Sequence, residues 1–238
     1  MNYCVSDIHE QKQLFMQLLK LIQFGDSDHM YILGDVLARG DGSGIELLRL
    51  IMSRPEQFTL VAGNHEIDFA QAILEGTTVE DHARWERMHS QKTAEAFFAL
   101  TKNEQTDILC FLRSLPSYMD ISVAGKDYHL VHGWPGYTIR ERVWGRPSIF
   151  TQNPFEDRKL IVGHTPVVLL HCRNDMEQNA YFHNLEASGD HMRILHAPGG
   201  WIDLDCACSY PVPGAALGCL RLEDGAEFYV RSDGKVTV

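Results

Sequence analysis

Five short apolar runs in this chain each end in a small cluster of Asp, Asn or His, and this pattern restricts the fold more tightly than any other. The clusters are Ser6-Asp7-Ile8-His9, Gly34-Asp35, Gly63-Asn64-His65-Glu66, His132-Gly133 and Gly163-His164-Thr165. Short apolar runs bounded by turn residues read as buried strands. In a layered α/β sheet the strand ends converge on one edge, where ligands bind. Five segments scattered over most of the chain are therefore expected to meet at one place. The neighbouring glycines let the backbone turn sharply there.

The intervening sequence supports that layout. Strand patterns at residues 2–5, 29–33 and 58–62 alternate with helical ones. Leu14, Leu18, Leu21 and Ile22 share one face of a helix over residues 11–23. Ile45, Leu48 and Ile51 do the same over 44–53, and a third helix is expected from Glu66. Residues 79–115 are helical and charge-rich, with Trp85, Phe97 and Phe98 expected in the core of a helical cap. Past Pro116, strands are expected at 118–123, 128–131, 160–162, 192–195, 202–204, 217–222 and 228–231. Residues 143–157, with Gly145, Pro147 and Pro154, read as a loop. The pattern predicts an α/β, four-layer αββα sandwich: two mixed β-sheets face to face, flanked by helices. One domain over 1–238 is expected, with the cap around 80–115.

Composition sets the outer bounds. The 238 residues are 45% hydrophobic and 22% charged, enough for a sizeable core. A formal net charge of -11 argues against general binding to nucleic acid, which needs a basic footprint. The start, MNYCVSDIHEQ, has no basic segment leading into a long apolar run, so no signal peptide is expected. No apolar stretch approaches the roughly 18 residues of a membrane span. The expectation is a cytoplasmic protein. Its six scattered cysteines (Cys4, Cys110, Cys172, Cys206, Cys208 and Cys219) then read as free thiols, with Cys206 and Cys208 as small strand residues. His171, His183, His191 and His196 lie outside the clusters and read as surface or strand residues.

Carboxylates and imidazoles without thiolates suit Mn, Fe or Zn. Two such ions roughly 3.5–4 Å apart share a carboxylate. Asp35 is the candidate bridge. Asp7 and His9 would complete one metal site, and Asn64, His132 and His164 the other. Any one segment alone could be a helix cap or a solvated group; five in this order point to a metal centre.

Ser-Asp-Ile-His-Glu, Gly-Asp-Val-Leu-Ala-Arg-Gly, Gly-Asn-His-Glu, His-Gly and Gly-His-Thr together resemble the motifs of calcineurin-like metallophosphoesterases. Within that superfamily the chain is similar to the phosphoprotein phosphatase group. That group includes bacterial serine/threonine phosphatases and symmetrical diadenosine tetraphosphate hydrolases. The resemblance runs from residue 3 to about residue 230. It implies two divalent metal ions, Mn²⁺ first with Fe²⁺ or Zn²⁺ as alternatives, on the six residues named above. It implies His65 as the acid that protonates the leaving oxygen and Arg39 as a phosphate grip. A second phosphate arginine is implied after His132, with Arg146 the match and Arg140 and Arg142 in reserve.

The reaction implied is phosphomonoester hydrolysis by a serine/threonine protein phosphatase, with symmetrical dinucleoside polyphosphate hydrolysis as the alternative. The substrate is accordingly a phosphorylated protein or a small phosphate or nucleotide. The oligomeric state is left open. Two positions divide these readings. Ala38 stands where phosphoprotein phosphatases carry an Asp that pairs with the catalytic His, and Ala38-Arg39-Gly40 resembles the nucleotide hydrolases. Glu66 resembles the phosphatases instead. Its position beside His65 suggests a role in starting the helix, or in orienting His65 in place of the missing Asp.

Overall fold

The computed structural model describes residues 1–237. Eleven strands are described: β1 (Asn2–Val5), β2 (His29–Leu33), β3 (Phe58–Val61), β4 (Met119–Val123), β5 (Lys126–Leu130), β6 (Lys159–Val162), β7 (Leu195–His196), β8 (Trp201–Asp203), β9 (Ala216–Arg221), β10 (Glu227–Arg231) and β11 (Val236–Thr237). The helices are α1 (Lys12–Leu21), α2 (Gly44–Ser53), α3 (Asn64–Leu74), α4 (His82–Arg87), α5 (Gln91–Phe98), α6 (Lys102–Ser114), α7 (Ile139–Trp144), α8 (Val167–His171) and α9 (Asp175–Ser188).

The strands form two mixed sheets. The first has the order β11-β10-β9-β1-β2-β3 and the second β4-β5-β6-β8-β7. Strands β1, β2 and β3 are parallel, as are β5, β6 and β8. Alternation along each strand decides which layer a side chain enters. Tyr3, Val5, Met30, Ile32, Phe58 and Leu60 face outward and pack with Leu14, Phe15, Leu18, Leu47 and Leu48 of α1 and α2. Their neighbours Cys4, Leu33 and Val61 face the other way, against Leu130, Leu160, Ile161 and Ile202 of the second sheet. The inter-sheet core and the helix-covered face are thus set by the same short strands. The expected αββα sandwich is the fold observed.

Helices α4, α5 and α6 fill the stretch read as helical. Trp85 and Phe97 are fully buried and pack around Phe69 of α3. Thr101 begins α6 with a reciprocal cap, accepting from the Glu104 amide while the Glu104 carboxylate accepts from the Thr101 amide.

Some local expectations are corrected. His171 and His183 are exposed, as expected of surface residues, though the elements that carry them are the helices α8 and α9; α9 buries no residue, so its sequence lacks an apolar stripe to announce it. His191 is neither surface nor strand: it is 4% exposed and packs on the Tyr229 ring. Cys206 and Cys208 lie beyond β8 in a buried turn, not in a strand, and Cys208 Sγ donates to the Asp7 carbonyl at 3.1 Å. All six cysteines are free. Among the described residues, no helix is long and apolar enough to cross a membrane.

Candidate metal centre

Parallel strands put their C-terminal ends on one edge, and every predicted cluster sits there. Asp7 follows β1, Asp35 follows β2, Asn64 follows β3, His132 follows β5 and His164 follows β6. All are buried, from 0% exposure at His132 to 6% at His164. Asp35 is central. Its Oδ2 lies 3.3 Å from His132 Nε2, 3.7 Å from His9 Nε2 and 3.9 Å from His65 Nε2. Two groupings of possible ligand atoms share it: His9-Asp35-His65 and Asp35-His132-His164. The first contains His65, which sequence reasoning kept apart as a proton donor. Asp7 Oδ1 is 3.7 Å from His9 Nε2. Asn64 Oδ1 is 3.0 Å from His132 Nε2.

The imidazoles are oriented from behind. His132 Nδ1–H donates to the Leu33 carbonyl at 2.7 Å, and His9 Nδ1–H to the Leu37 carbonyl at 3.2 Å. Both bonds leave Nε2 turned toward Asp35, and in His132 that nitrogen also lies 3.0 Å from Asn64 Oδ1. A partner on one ring nitrogen fixes which nitrogen can bind a metal. His164 Nε2 is buried and has no hydrogen-bond partner among the described residues. An orphaned buried nitrogen costs free energy unless something binds it, and this one sits in the donor set. The set therefore fits a pair of divalent cations.

Charge balance agrees. Burial alone would raise the Asp35 pKa, but the His132 and His65 imidazoles beside it hold it well below the usual carboxylate range. Burial opposes protonation of His132, yet the Asp35 and Asp7 carboxylates push it up to about 10. Burial drives His9 down to about 3 and His164 to about 2. Neutral His9 and His164 beside an ionised Asp35 are in the state a metal requires, and the proton held on His132 is the one a bound cation would displace.

The backbone here is unusual. Asp7, His9, Glu10, Asp35, Ala38, Arg39 and His164 all have φ between 46° and 69°. Non-glycine residues in this region cost roughly 1–2 kcal/mol each and collect at functional sites. Glycine is required where two such loops touch: a Cβ on Gly63 would collide with Asp35 Oδ1, and one on Gly163 with Ser6 Oγ. Glu66 braces the same place. Its carboxylate accepts from the amides of Asp35, Val36 and Leu37 at 2.7–3.0 Å and of Gly63 at 3.1 Å. Glu66 thus starts α3 and pins the loop after β2. It does not orient His65, whose ring has no hydrogen bond to any carboxylate among the described residues; the adjacent-acid expectation is corrected on that point.

Around the cluster lies a pocket of about 250 Å³, lined by Asp7, His9, Asp35, Asn64, His65 and His164. Arg39 and Arg146 line it too. The Arg39 guanidinium lies over the Tyr210 ring at 5.2 Å, and its buried Nε has no partner among the described residues. Arg146 Nη1 donates to the His164 carbonyl at 3.2 Å. The reserve arginines are placed otherwise. Arg142 donates to Gly136 O and Ser117 Oγ and lies over the Tyr118 ring, while Arg140 is exposed and outside the pocket lining.

The sequence reading missed Arg87, Met88 and His89, which the end of α4 and the turn after it bring to the pocket, and Tyr210 and Asp205 beyond β8. Asp203 and Asp205 had a readable signal: Trp201-Ile202-Asp203-Leu204-Asp205 is a sixth apolar run ending in acids. Asp203 is fully buried, its Oδ2 unpartnered among the described residues, and its carboxyl is pushed well up by burial and by Asp205.

The calcineurin-like phosphoesterase family model matches residues 3–200. The chain belongs to that family. Calcineurin-like phosphoesterases use a dinuclear metal centre, and the buried His/Asp cluster has the composition for one. Among curated proteins, this phosphoesterase is 32% identical over 100 residues to a symmetrical bis(5'-nucleosyl)-tetraphosphatase of Aggregatibacter actinomycetemcomitans, covering 42% of this chain and 35% of the relative. It is 29% identical over 140 residues to the Chromobacterium violaceum protein of the same name, covering 58% and 45%. The matched stretch thus spans less than half the length of either relative.

In fold, the phosphoesterase is similar to a candidate diadenosine tetraphosphatase (TM-score 0.57, 17% identity, 96% of this chain and 92% of the other). It is also similar to a metallophosphoesterase from Sphaerobacter thermophilus (TM-score 0.51, 19% identity, 93% and 84%).

Proposed function

We propose that this protein is a dimetal phosphoric ester hydrolase whose substrate is a dinucleoside polyphosphate, cleaved symmetrically. The observation that carries the reading is the arginine set. In a chain of formal charge -11, Arg39, Arg87 and Arg146 line one 250 Å³ pocket with the His/Asp cluster. A phosphomonoester presents one phosphate for a guanidinium fork to grip, whereas a polyphosphate chain presents several. Two further observations support it. The His65 ring makes no hydrogen bond to a carboxylate among the described residues, Asp35 Oδ2 standing off at 3.9 Å, and two curated relatives are named as symmetrical tetraphosphatases. The serine/threonine phosphatase reading keeps one support, the Gly63-Asn64-His65-Glu66 motif.

In this reading Asp7, His9, Asp35, Asn64, His132 and His164 hold two divalent ions. Mn²⁺ is first, and Fe²⁺ and Zn²⁺ suit the same donors. The bound pair supplies Lewis-acid activation of phosphate and water. Arg39 and Arg146 clamp non-bridging oxygens of the attacked phosphate and offset its developing charge. Arg87, in the lining of the same pocket, meets the next phosphates of the chain. The His65 imidazole gives a proton to the departing oxygen. The departing group of an anhydride is itself a phosphate anion, so it asks little of that acid. A serine alkoxide asks for full proton transfer, which a His without a supporting carboxylate serves poorly.

The test is turnover with Mn²⁺ on diadenosine tetraphosphate beside a phosphothreonine peptide. Clean conversion of the nucleotide to two ADP is expected. Phosphate released from the peptide, with the nucleotide intact, would overturn the substrate assignment in favour of the phosphatase.

A further inference from the structure

Arg39 does not belong to the metal pocket alone. It also lines a second and larger concavity, about 990 Å³, on the far side of its own loop. The first turns of α1 form one wall, and the loop from Gly40 to the start of α2 forms the other. This concavity is rigid at its base. The buried Glu10 carboxylate accepts from the Gly42 amide at 2.7 Å and from Thr93 Oγ1 at 2.6 Å, and Ser43 Oγ donates back to the Glu10 carbonyl. The two cavities share Arg39 in their linings.

Their linings differ. The metal pocket carries three arginines. The groove instead offers the amides of Gln11, Gln13 and Gln17 and the carboxylates of Asp41 and Glu46. Lys12, its one other cation, is paired to Glu46. Such a surface disfavours phosphate, since it adds acid to acid. It favours a neutral group rich in hydroxyls and ring nitrogens. Carboxylates accept from ribose hydroxyls, and Gln amides pair with the donor and acceptor edge of adenine. We infer that the groove beyond Arg39 is the subsite for one nucleoside of the substrate, with the phosphate chain turning past Arg39 into the metal pocket. This inference rests on the dinucleoside reading above and adds where the nucleoside lies.

The test uses the Mn²⁺-loaded protein and two variants, Gln13→Trp to fill the groove and Asp41→Asn to remove a ribose acceptor. Each is assayed on diadenosine tetraphosphate and, in parallel, on p-nitrophenyl phosphate, which is too short to reach the groove. The expected result is a KM for the dinucleotide raised about tenfold by Gln13→Trp and about threefold by Asp41→Asn, with p-nitrophenyl phosphate turnover unchanged. Should Gln13→Trp lose both activities, it is misfolded and the Asp41→Asn KM decides. An unchanged dinucleotide KM in the folded variants overturns the groove assignment and leaves the function standing. A wild-type protein that cleaves p-nitrophenyl phosphate but not the dinucleotide overturns both. In that case a KM shift on a phosphothreonine peptide would assign the groove to polypeptide instead.

Discussion

The two sheets supply the metal centre in different ways. The loops after β1 and β2 carry six non-glycine residues in left-handed backbone: Asp7, His9, Glu10, Asp35, Ala38 and Arg39. The loops after β5 and β6 carry one, His164. The strained side is also the braced side. Buried Glu66 holds four amides there, and buried Glu10 holds the loop beyond Arg39. On the second sheet, His132 needs only one carbonyl behind it and a regular strand beneath it. Strain of this kind persists where surrounding bonds over-determine the backbone, and here those bonds end on two buried carboxylates, Glu66 and Glu10.

Metal removal gives the largest effect. Chelation is expected to abolish phosphoesterase turnover and to lower Tm, with both restored by Mn²⁺; a thousandfold excess over Kd contributes about 4 kcal/mol. Turnover that survives exhaustive chelation would remove the dimetal reading. Next comes the brace. Glu66→Ala leaves the amides at Asp35, Val36, Leu37 and Gly63 unpaired and is expected to destabilise by about 3–5 kcal/mol in denaturant unfolding. If Glu66→Ala unfolds no more readily than Asp120→Asn, at the half-exposed far end of the second sheet, the contrast between the sheets fails.

Gly163→Ala, which drives a Cβ into Ser6 Oγ beside Asp7, is expected to cost about 1–3 kcal/mol and to weaken Mn²⁺ binding in calorimetry. Unaltered metal affinity would show that Asp7 tolerates the displacement. Tyr210→Leu removes the ring beneath Arg39 and should raise KM about fivefold, with Tyr210→Phe near wild type. Equal losses in both variants would point to the hydroxyl rather than the ring face. Asp120→Asn, which loses an exposed pair to Arg158 and the bond to His129, should change stability by under about 1 kcal/mol.

Asp7, His9, Asp35, Asn64, His132 and His164 were all legible because each follows an apolar strand within a few residues. Position along the chain and strand periodicity together carry that information. Arg87, His89 and Tyr210 were not legible. They reach the pocket from the last residue of α4, the turn that follows it and a turn after β8, where no periodicity points to an edge. Helix α9 was missed for a related reason: its face toward the protein is only partly buried, so selection for an apolar stripe is absent. Glu66 was legible as a helix start, but its choice of partner was not, because its carboxylate closes on a loop some 30 residues away.

By itself, the sequence determined the two-sheet sandwich and which Asp, Asn and His residues gather at its edge. Both follow from local rules: alternation selects the layer, and a polar residue after a strand lands on the sheet edge. Only the tertiary structure decided the orientation of each imidazole, the bracing of the strained loops, the third arginine and the groove beyond Arg39. These depend on which distant backbone carbonyls, amides and rings arrive next to a given side chain, and no spacing along the chain encodes that.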